Sequence, residues 1–269
     1  MSFAPGGLIT LTTDFGTADP FAGIVNGRII TAFPGARIVD LSHGMPRGRP
    51  DLAGFWLARA WREFPPGTVH LAVVDPGVGT ARGVLLALAE ERALLAPDNG
   101  LLPEALRDCR EVLWRGMDAG LPAHLGLGPL SRTFHGRDLF GPLAAALASG
   151  RLTPAEFGAT ATPSDPTPVP VPRKDGDGVA GCIVLADRFG NLFSNIDGRQ
   201  VTACRQPTIE AAGRSWPLVS TYGDVPAGAP LALLNAFDLL ELAVNGGSAA
   251  QLPGLGEGTF VRLRDGLSA

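Results

Sequence analysis

The apolar positions of this chain fall into short runs separated by Gly, Pro and Asp, and the texture of those runs changes near residue 170. In the first part, residues 8–13, 37–41, 68–74, 83–89 and 93–96 read as strands bounded by turn residues. Within residues 51–64, Leu52, Trp56, Ala60 and Phe64 recur at helical spacing, and residues 137–148 repeat the pattern until Gly150 stops it. Strands alternating with helices predict an α/β domain with a mostly parallel central sheet flanked by helices on both faces.

Residues 162–173 then carry Pro163, Pro166, Pro168, Pro170 and Pro172, which predicts a stiff, extended connector. Beyond it, residues 179–186, 191–196, 208–212, 231–234 and 258–263 read as strands, with one short helical stretch expected over 237–244. Successive strands with turn residues between them predict a small C-terminal β-barrel domain. The expected organisation is an α/β domain over residues 1–170 and a barrel over 174–269, with no internal repeat.

Composition narrows the function classes. A chain of 269 residues exceeds the ~150-residue expectation for one domain, and 45% hydrophobic with 18% charged residues excludes disorder over most of it. The 36 glycines and 24 prolines together lie well above the usual ~12% share, so tight loops are abundant. Lys and Arg number 22 against 26 Asp and Glu, a net charge of −4, and no basic run occurs. Nucleic acid is therefore not the expected partner, because phosphate-backbone binding needs clustered cations. No apolar run approaches the ~20 residues that span a bilayer, and residues 1–7 lack the layout of a secretory signal. Cys109, Cys182 and Cys204 are odd in number and contain no C-x-x-C pair. They suit buried thiols in a reducing compartment better than a disulfide or zinc framework. A cytoplasmic protein with no membrane partner is expected.

The candidate chemistry gathers in turns. Asp14, Asp75 and Asp98 each follow an expected strand, in Thr12-Thr13-Asp14-Phe15-Gly16, Val74-Asp75-Pro76-Gly77 and Pro97-Asp98-Asn99-Gly100. Any one such Asp can simply build its turn by bonding nearby amides. Three at the carboxyl ends of strands in one sheet would converge on a cleft. The loop Gly77-Val78-Gly79-Thr80-Ala81-Arg82-Gly83 misses both nucleotide-binding glycine fingerprints, so phosphate cradling is not expected. His135, in Thr133-Phe134-His135-Gly136-Arg137-Asp138, heads a helix between an aromatic and a glycine; a structural role and a cleft role are both open to it. His43, His70 and His124 share no metal-ligand spacing with it, and no G-x-S-x-G elbow occurs, so neither a zinc site nor a Ser–His–Asp hydrolase is favoured. In Asp187-Arg188-Phe189-Gly190-Asn191-Leu192-Phe193, two phenylalanines and an amide could hold a purine-like base, and Asp187 could pair with an ammonium; the plainer alternative is a hairpin with half-buried Phe.

Taken together, Leu11-Thr12-Thr13-Asp14-Phe15-Gly16, Val74-Asp75-Pro76-Gly77-Val78-Gly79, Pro97-Asp98-Asn99-Gly100, Thr133-Phe134-His135-Gly136-Arg137-Asp138 and Asp187-Arg188-Phe189-Gly190-Asn191 resemble the S-adenosyl-L-methionine (SAM) hydrolases, also called SAM hydroxide adenosyltransferases. These are relatives of the SAM-dependent fluorinases and chlorinases. The resemblance implies hydrolysis of SAM to adenosine and L-methionine by water attacking the ribose 5′-carbon. SAM is then the substrate, and neither cofactor nor metal is required. It also implies a homotrimer in which SAM lies between one subunit's N-terminal domain and its neighbour's C-terminal domain. By motif position, Asp75, Arg82 and His135 match the family's water-handling set. Asp14, assisted by Asp19, matches the grip on the ribose hydroxyls, and Asp187 the partner of the methionine ammonium. Asn191, Asn245, Phe189 and Phe193 fall where the halogenating relatives surround the adenine.

Two departures accompany the match. Relatives commonly carry Ser where Ala236 stands and Gly where Asp238 stands, which removes one possible polar contact to the methionine moiety. Against the fluorinase pattern, Asp75 and His135 replace tyrosines, and Gly48 replaces an aromatic that walls the halide pocket. Water is therefore the expected nucleophile. The alternatives are a SAM-dependent halogenase, a non-catalytic adenosyl-binding protein, and a metal-dependent hydrolase using Asp14, Asp75, Asp98 and His135.

Overall fold

The computed structural model describes residues 2–164 and 168–266, and the chain divides into two compact units, residues 1–168 and 169–269. Of the connector prolines, Pro166 lies outside the described residues.

The first unit is built on strands β1 (Leu8–Thr13), β2 (Arg37–Ser42), β3 (Val69–Val73), β4 (Val84–Ala89), β5 (Arg92–Pro97) and β6 (Leu113–Gly116), in the spatial order β2-β1-β3-β5-β4-β6. β2, β1, β3 and β5 run parallel, whereas β4 is antiparallel to both β5 and β6. The sheet is thus mixed. The reason lies between β4 and β5, where Ala89 faces Arg92 across the two-residue turn Glu90-Glu91. Both turn residues have positive φ, 47° and 62°, as a tight hairpin requires. Asn-Gly or Asp-Gly would have signalled this turn; Glu-Glu does not.

Strand periodicity sorts the core into two layers. Ile9, Leu11, Leu71, Val73, Leu86, Leu88 and Leu95 pack with Val25 and Ile29 of the helix Phe21–Ala32 and with the helix Gly141–Ala148. The alternate residues Ala72, Val74, Leu85, Ala87, Leu94 and Ala96 pack with Leu57 and Ala53 of the helix Pro50–Ala60, and with Leu101 and Leu102. Successive strand side chains point to opposite faces, so each face of the sheet receives its own cover. Pro50 starts its helix at a position where the missing N–H costs nothing. The periodic segment 51–64 ends as a 3-10 turn, Trp61–Glu63, which drops Trp61 fully into the core. The helix Phe21–Ala32 escaped the sequence pattern because Phe21, Ile24 and Ile30 stay exposed beside the buried Val25 and Ile29, blurring the 3.6-residue stripe.

His70 is the odd residue in this core. It is fully buried in β3, its Nδ1 lies 2.8 Å from Thr10 Oγ1, and the edges of Trp61 and Phe64 close around it. Burial, with Arg92 a lesser contributor, pushes its pKa down to about 3, so the ring is neutral throughout the ordinary pH range.

The second unit contains β7 (Arg173–Asp175), β8 (Gly178–Ala186), β9 (Leu192–Asp197), β10 (Pro207–Ala211), β11 (Arg214–Trp216), β12 (Pro230–Leu234), β13 (Leu239–Val244) and β14 (Phe260–Asp265). The order is β11-β10-β14-β8-β9-β13-β12, every pairing is antiparallel, and β7 adds to β8. A single bridge from Leu218 to Ala232 of β12 nearly closes this sheet into a barrel around Trp216, Ile183, Leu192, Leu240 and Val261.

The helical stretch expected over 237–244 is instead the second arm of a hairpin. β13 pairs with both β12 and β9 and is buried on both faces. A continuous apolar run of that length does not distinguish a buried strand from a helix. Tertiary pairing decided it, helped by Asn235, whose Oδ1 accepts the Phe237 and Leu239 amides and folds the turn. Asp238 sits in that turn at φ 57°, a left-handed conformation Gly adopts freely and Asp better than most. A glycine would take this position without strain. Asp238→Gly is therefore expected to leave the melting temperature within a few degrees of wild type, while the β-branched Asp238→Val lowers it by the equivalent of about 1–3 kcal/mol; a thermal melt of each variant checks both.

The three cysteines are free. Each is half-buried rather than sealed in a core, and burial raises all three thiol pKa values.

Candidate active site

The carboxyl ends of β1, β3 and β5 lie side by side, and the start of the antiparallel β4 comes to the same edge. The residues that follow those strands, Asp14, Asp75 and Asp98, and Arg82 just ahead of β4, therefore share one rim of the sheet. Open sheets offer ligands this rim.

Asp75 and Arg82 form its centre. Arg82 Nε donates to Asp75 Oδ1 at 2.9 Å and to Oδ2 at 3.0 Å, and Arg82 Nη2 pairs with Oδ2. The two side chains are only 6% and 11% exposed, so solvent screens them little. Arg82 Nη2 also lies 3.0 Å from His135 Nδ1. A guanidinium can only donate, so Nδ1 is the acceptor and the ring proton sits on Nε2. Burial first, and then the Arg82 charge, push the His135 pKa down, which keeps this neutral tautomer at neutral pH. Arg82 further rests its guanidinium carbon 5.1 Å from the centre of the Phe140 ring.

The backbone around this trio is pinned. Asn99 Nδ2 donates to the Val74 carbonyl at 2.9 Å, immediately before Asp75. His135 heads a π-type turn, Gly136–Phe140, that leads into the helix Gly141–Ala148; such turns are frequent at functional sites. Asp138 accepts the Ser131 amide at 2.9 Å and is paired with Arg137, which together hold its carboxyl below the usual range. Gly79 lies at φ 78°, and a β-carbon there would come within 2.1 Å of the Arg132 carbonyl oxygen. The loop carrying Arg82 can thus approach the segment carrying His135 only with glycine at this point. Gly79→Ala is expected to lower the melting temperature and to cut turnover at least tenfold by parting Arg82 from His135. Wild-type turnover in this variant would show that the close approach is dispensable.

Asp14 Oδ2 accepts the Gly48 amide at 2.9 Å, and the neighbouring Thr13 Oγ1 lies 2.8 Å from Nδ1 of the buried His43. The Asp14 turn is tied to the His135 segment by edge-on packing of Phe15 and Phe21 on Phe134. Asp98 uses Oδ1 to hold the Ser164 amide at 2.8 Å, a loop-anchoring role. Asp19 is exposed. Among the described residues no group of three His, Cys, Asp or Glu side chains is arranged to hold a metal ion, and no helix is long and apolar enough to cross a membrane.

The second unit gathers its own polar set. Asp187 Oδ1 accepts the amides of Phe189 and Asn191 at 2.8 and 2.9 Å, and Asn191 Nδ2 reaches Asp187 Oδ2 at 3.3 Å. Phe189 is 74% exposed while Phe193 is buried, its ring centre 6.2 Å from that of Phe237. Asn245 Nδ2 donates to the Val225 carbonyl at 2.8 Å, which fixes the loop before β12. Behind Asn191 lie two residues the sequence reading did not single out. Tyr222 donates to Glu241 Oε1 at 2.7 Å, and Asn235 donates to Oε2 at 3.1 Å. Glu241 is 2% exposed in the midst of β13. A lone acid within Leu239-Leu240-Glu241-Leu242-Ala243-Val244 was the available signal, because a buried carboxylate must find donors. His43 and Tyr222 carried no comparable mark.

A mixed α/β unit with a half-buried carboxylate–guanidinium–imidazole trio at its strand ends, and a separate antiparallel barrel with a polar cluster, define a two-domain small-molecule enzyme architecture. Comparison with known proteins gives the family. Residues 9–158 match the SAM hydroxide adenosyltransferase N-terminal domain and residues 181–262 the corresponding C-terminal domain, so the chain belongs to the SAM hydroxide adenosyltransferase family. It is 40% identical over 263 residues to the (R)-S-adenosyl-L-methionine hydrolase of Thermus thermophilus, covering 93% of this chain and 97% of that one. It is 36% identical over 281 residues to the enzyme of the same name from Salinispora tropica, covering 98% and 100%. A crystal structure of an uncharacterized conserved protein from Thermotoga maritima superposes with a TM-score of 0.86 at 28% identity, covering 95% of this chain and 99% of that one.

Proposed function

We propose that this chain hydrolyses SAM to adenosine and L-methionine, with a water held by Asp75, Arg82 and His135 attacking the ribose 5′-carbon. The observation that carries the proposal is the Arg82 guanidinium held between Asp75 and His135 Nδ1. SAM departs from its 5′-carbon as a neutral thioether, so the leaving group needs no acid and no metal. The difficulty is the nucleophile. His135, protonated on Nε2, donates to the water oxygen and orients a lone pair. Asp75 Oδ1, which takes a single contact from Arg82, keeps a second lone pair for the water. As the carbon–oxygen bond forms and the carbon–sulfur pair leaves with methionine, the water's proton passes to Asp75, which later releases it to solvent. Positioning that water in line at ~3–3.5 Å accounts for several kcal/mol of the barrier.

Asp14, assisted by Asp19, grips the ribose hydroxyls in this reading; Asp187 holds the methionine ammonium; Phe189, Phe193, Asn191 and Asn245 surround the adenine. Asp75 and His135 in place of tyrosines, and Gly48 in place of an aromatic, favour water over halide. The proposal includes a cytoplasmic homotrimer, which sedimentation as a stable monomer would contradict. Incubation with SAM in heavy-oxygen water should put the label in adenosine, with activity unchanged by a chelator. Intact SAM, or cleavage only after a divalent ion is added, overturns the reading. The pH profile should fall on the acid side with an apparent pKa below the ordinary imidazole value of about 6.5, because protonation takes from His135 the lone pair that faces Arg82. An inflection above 6.5 would contradict the assignment.

A further inference from the structure

We infer that Asn99 is a positioning residue for the hydrolytic trio: its side-chain amide, in place of a backbone donor that Pro97 lacks, sets where the strand end carrying Asp75 meets the loop carrying Arg82. The inference rests on the trio as the water-handling set and adds what aligns two of its members with the third.

Strand β3 is paired with β1 as far as Thr13–Val73 and with β5 only as far as Leu71–Leu95. Val74, which leads into Asp75, therefore stands past the last pair of either ladder. On the β5 side the strand closes at Pro97, whose nitrogen has no proton to give. Two residues further on, Asn99 Nδ2 donates to the Val74 carbonyl at 2.9 Å. A carbonyl only accepts, so the amide nitrogen must face it; Asn99 Oδ1 turns the other way and accepts the Leu101 amide at 3.4 Å. The same turn holds the other partner. The Asp98 amide donates to the Gly83 carbonyl at 3.0 Å, and that carbonyl also takes Arg82 Nη1 at 3.3 Å. Adjacent residues of one turn thus fasten the chain just before Asp75 and the chain just after Arg82. The ion pair fixes Asp75 and Arg82 only relative to each other. Its place on the rim, and with it the reach of Arg82 to His135 Nδ1 at 3.0 Å, is set where the two backbones are tied. The tie at Gly83 is made by backbone and survives a change of side chain, whereas the tie at Val74 hangs on one amide. A misplacement of about 1 Å in such a site costs on the order of 10²-fold in rate.

Two variants separate this role from plain turn building. Asn99→Asp keeps the oxygen that accepts the Leu101 amide and sets a carboxylate oxygen, in place of a donor, against the Val74 carbonyl. Asn99→Ala loses both bonds. In steady-state hydrolysis of SAM by the full-length protein, Asn99→Asp should lower kcat at least tenfold and leave KM within threefold of wild type. Asn99→Ala, which removes the donor without adding repulsion, should be no slower than Asn99→Asp. A residue that only builds the turn gives the reverse order, because alanine alone gives up the Leu101 bond. In an Arg82→Lys background, where the span to His135 is already lost, Asn99→Asp should cost less than threefold in kcat, since residues acting through one contact are not additive. A smaller fall in kcat for Asn99→Asp, a larger change in KM, a slower Asn99→Ala, or a cost of threefold or more beside Arg82→Lys each overturns the inference. If circular dichroism finds Asn99→Asp unfolded, Asn99→Ala decides by the same limits on kcat and KM; if that variant is unfolded too, the amide serves folding and the inference falls. Failure of the functional reading is seen separately, as wild-type protein that leaves SAM intact.

Discussion

Replacing Arg82 with alanine is expected to slow SAM hydrolysis by about 10²- to 10⁴-fold, the range that positioned acid–base groups supply. Arg82 is the one group that contacts both other members of the trio, through two Nε contacts to Asp75 and Nη2 contacts to Asp75 and His135. Without it, His135 loses the donor that fixes its tautomer, and Asp75 is left as a buried carboxylate facing no cation. The second consequence is a stability loss on the order of 3–5 kcal/mol, so activity must be compared well below the variant's melting temperature. Two further variants separate the effects. Arg82→Lys keeps the charge but cannot span Asp75 and His135 with a planar fork; it should regain most of the stability and little of the rate. Asp75→Asn keeps the shape of the acceptor and removes the proton sink, and should lose rate with SAM binding retained. Rates within a factor of about three of wild type in Arg82→Ala would remove the trio from the mechanism.

The second large effect concerns folding in acid. His70 is neutral and fully buried, with a folded-state pKa of about 3 against about 6.5 in an unfolded chain. Above pH 6.5 the ring is neutral in both states and contributes no pH dependence. Between about 6.5 and 3 the unfolded chain binds a proton that the folded protein refuses, so stability falls as the pH drops through that window. A separation of this size corresponds to several kcal/mol, comparable with the whole stability of many domains. Urea melts at pH 7 and pH 4.5 should differ by a large part of that amount, and His70→Gln, which keeps a polar partner for Thr10, should shrink the difference. Identical pH dependence in the variant would show that other groups govern acid unfolding.

The legibility of this protein in its sequence varied with the range of the interactions that decide each feature. Strand β1 was readable to its ends because Leu8–Thr13 lies between Gly7 and Asp14, and local turn chemistry sets such limits. The direction of β4 was not, because Glu90 and Glu91 adopt left-handed backbone without the residues that usually announce it. Residues 237–244 read as a helix for a related reason: their strand identity depends on two neighbours distant in sequence, β9 and β12. Within the site, motif positions pointed to Asp75, Arg82 and His135, but the spacing of seven and then fifty-three residues says nothing of which atoms meet. That His135 faces Arg82 through Nδ1, and therefore carries its proton on Nε2, belongs to the fold.

The sequence by itself determined the two-part organisation, the period-two burial of the central sheet, the placement of acids at strand ends and, through five motifs, the family. These are consequences of residue type acting over a few neighbours. Only the tertiary structure decided that Asp98 anchors a loop, that Asn245 spends its amide on Val225, and that Glu241 and Tyr222 stand behind Asn191. Hydrogen-bond roles depend on which donors and acceptors meet across the fold, and a polar side chain acquires its direction only when its partners are in place.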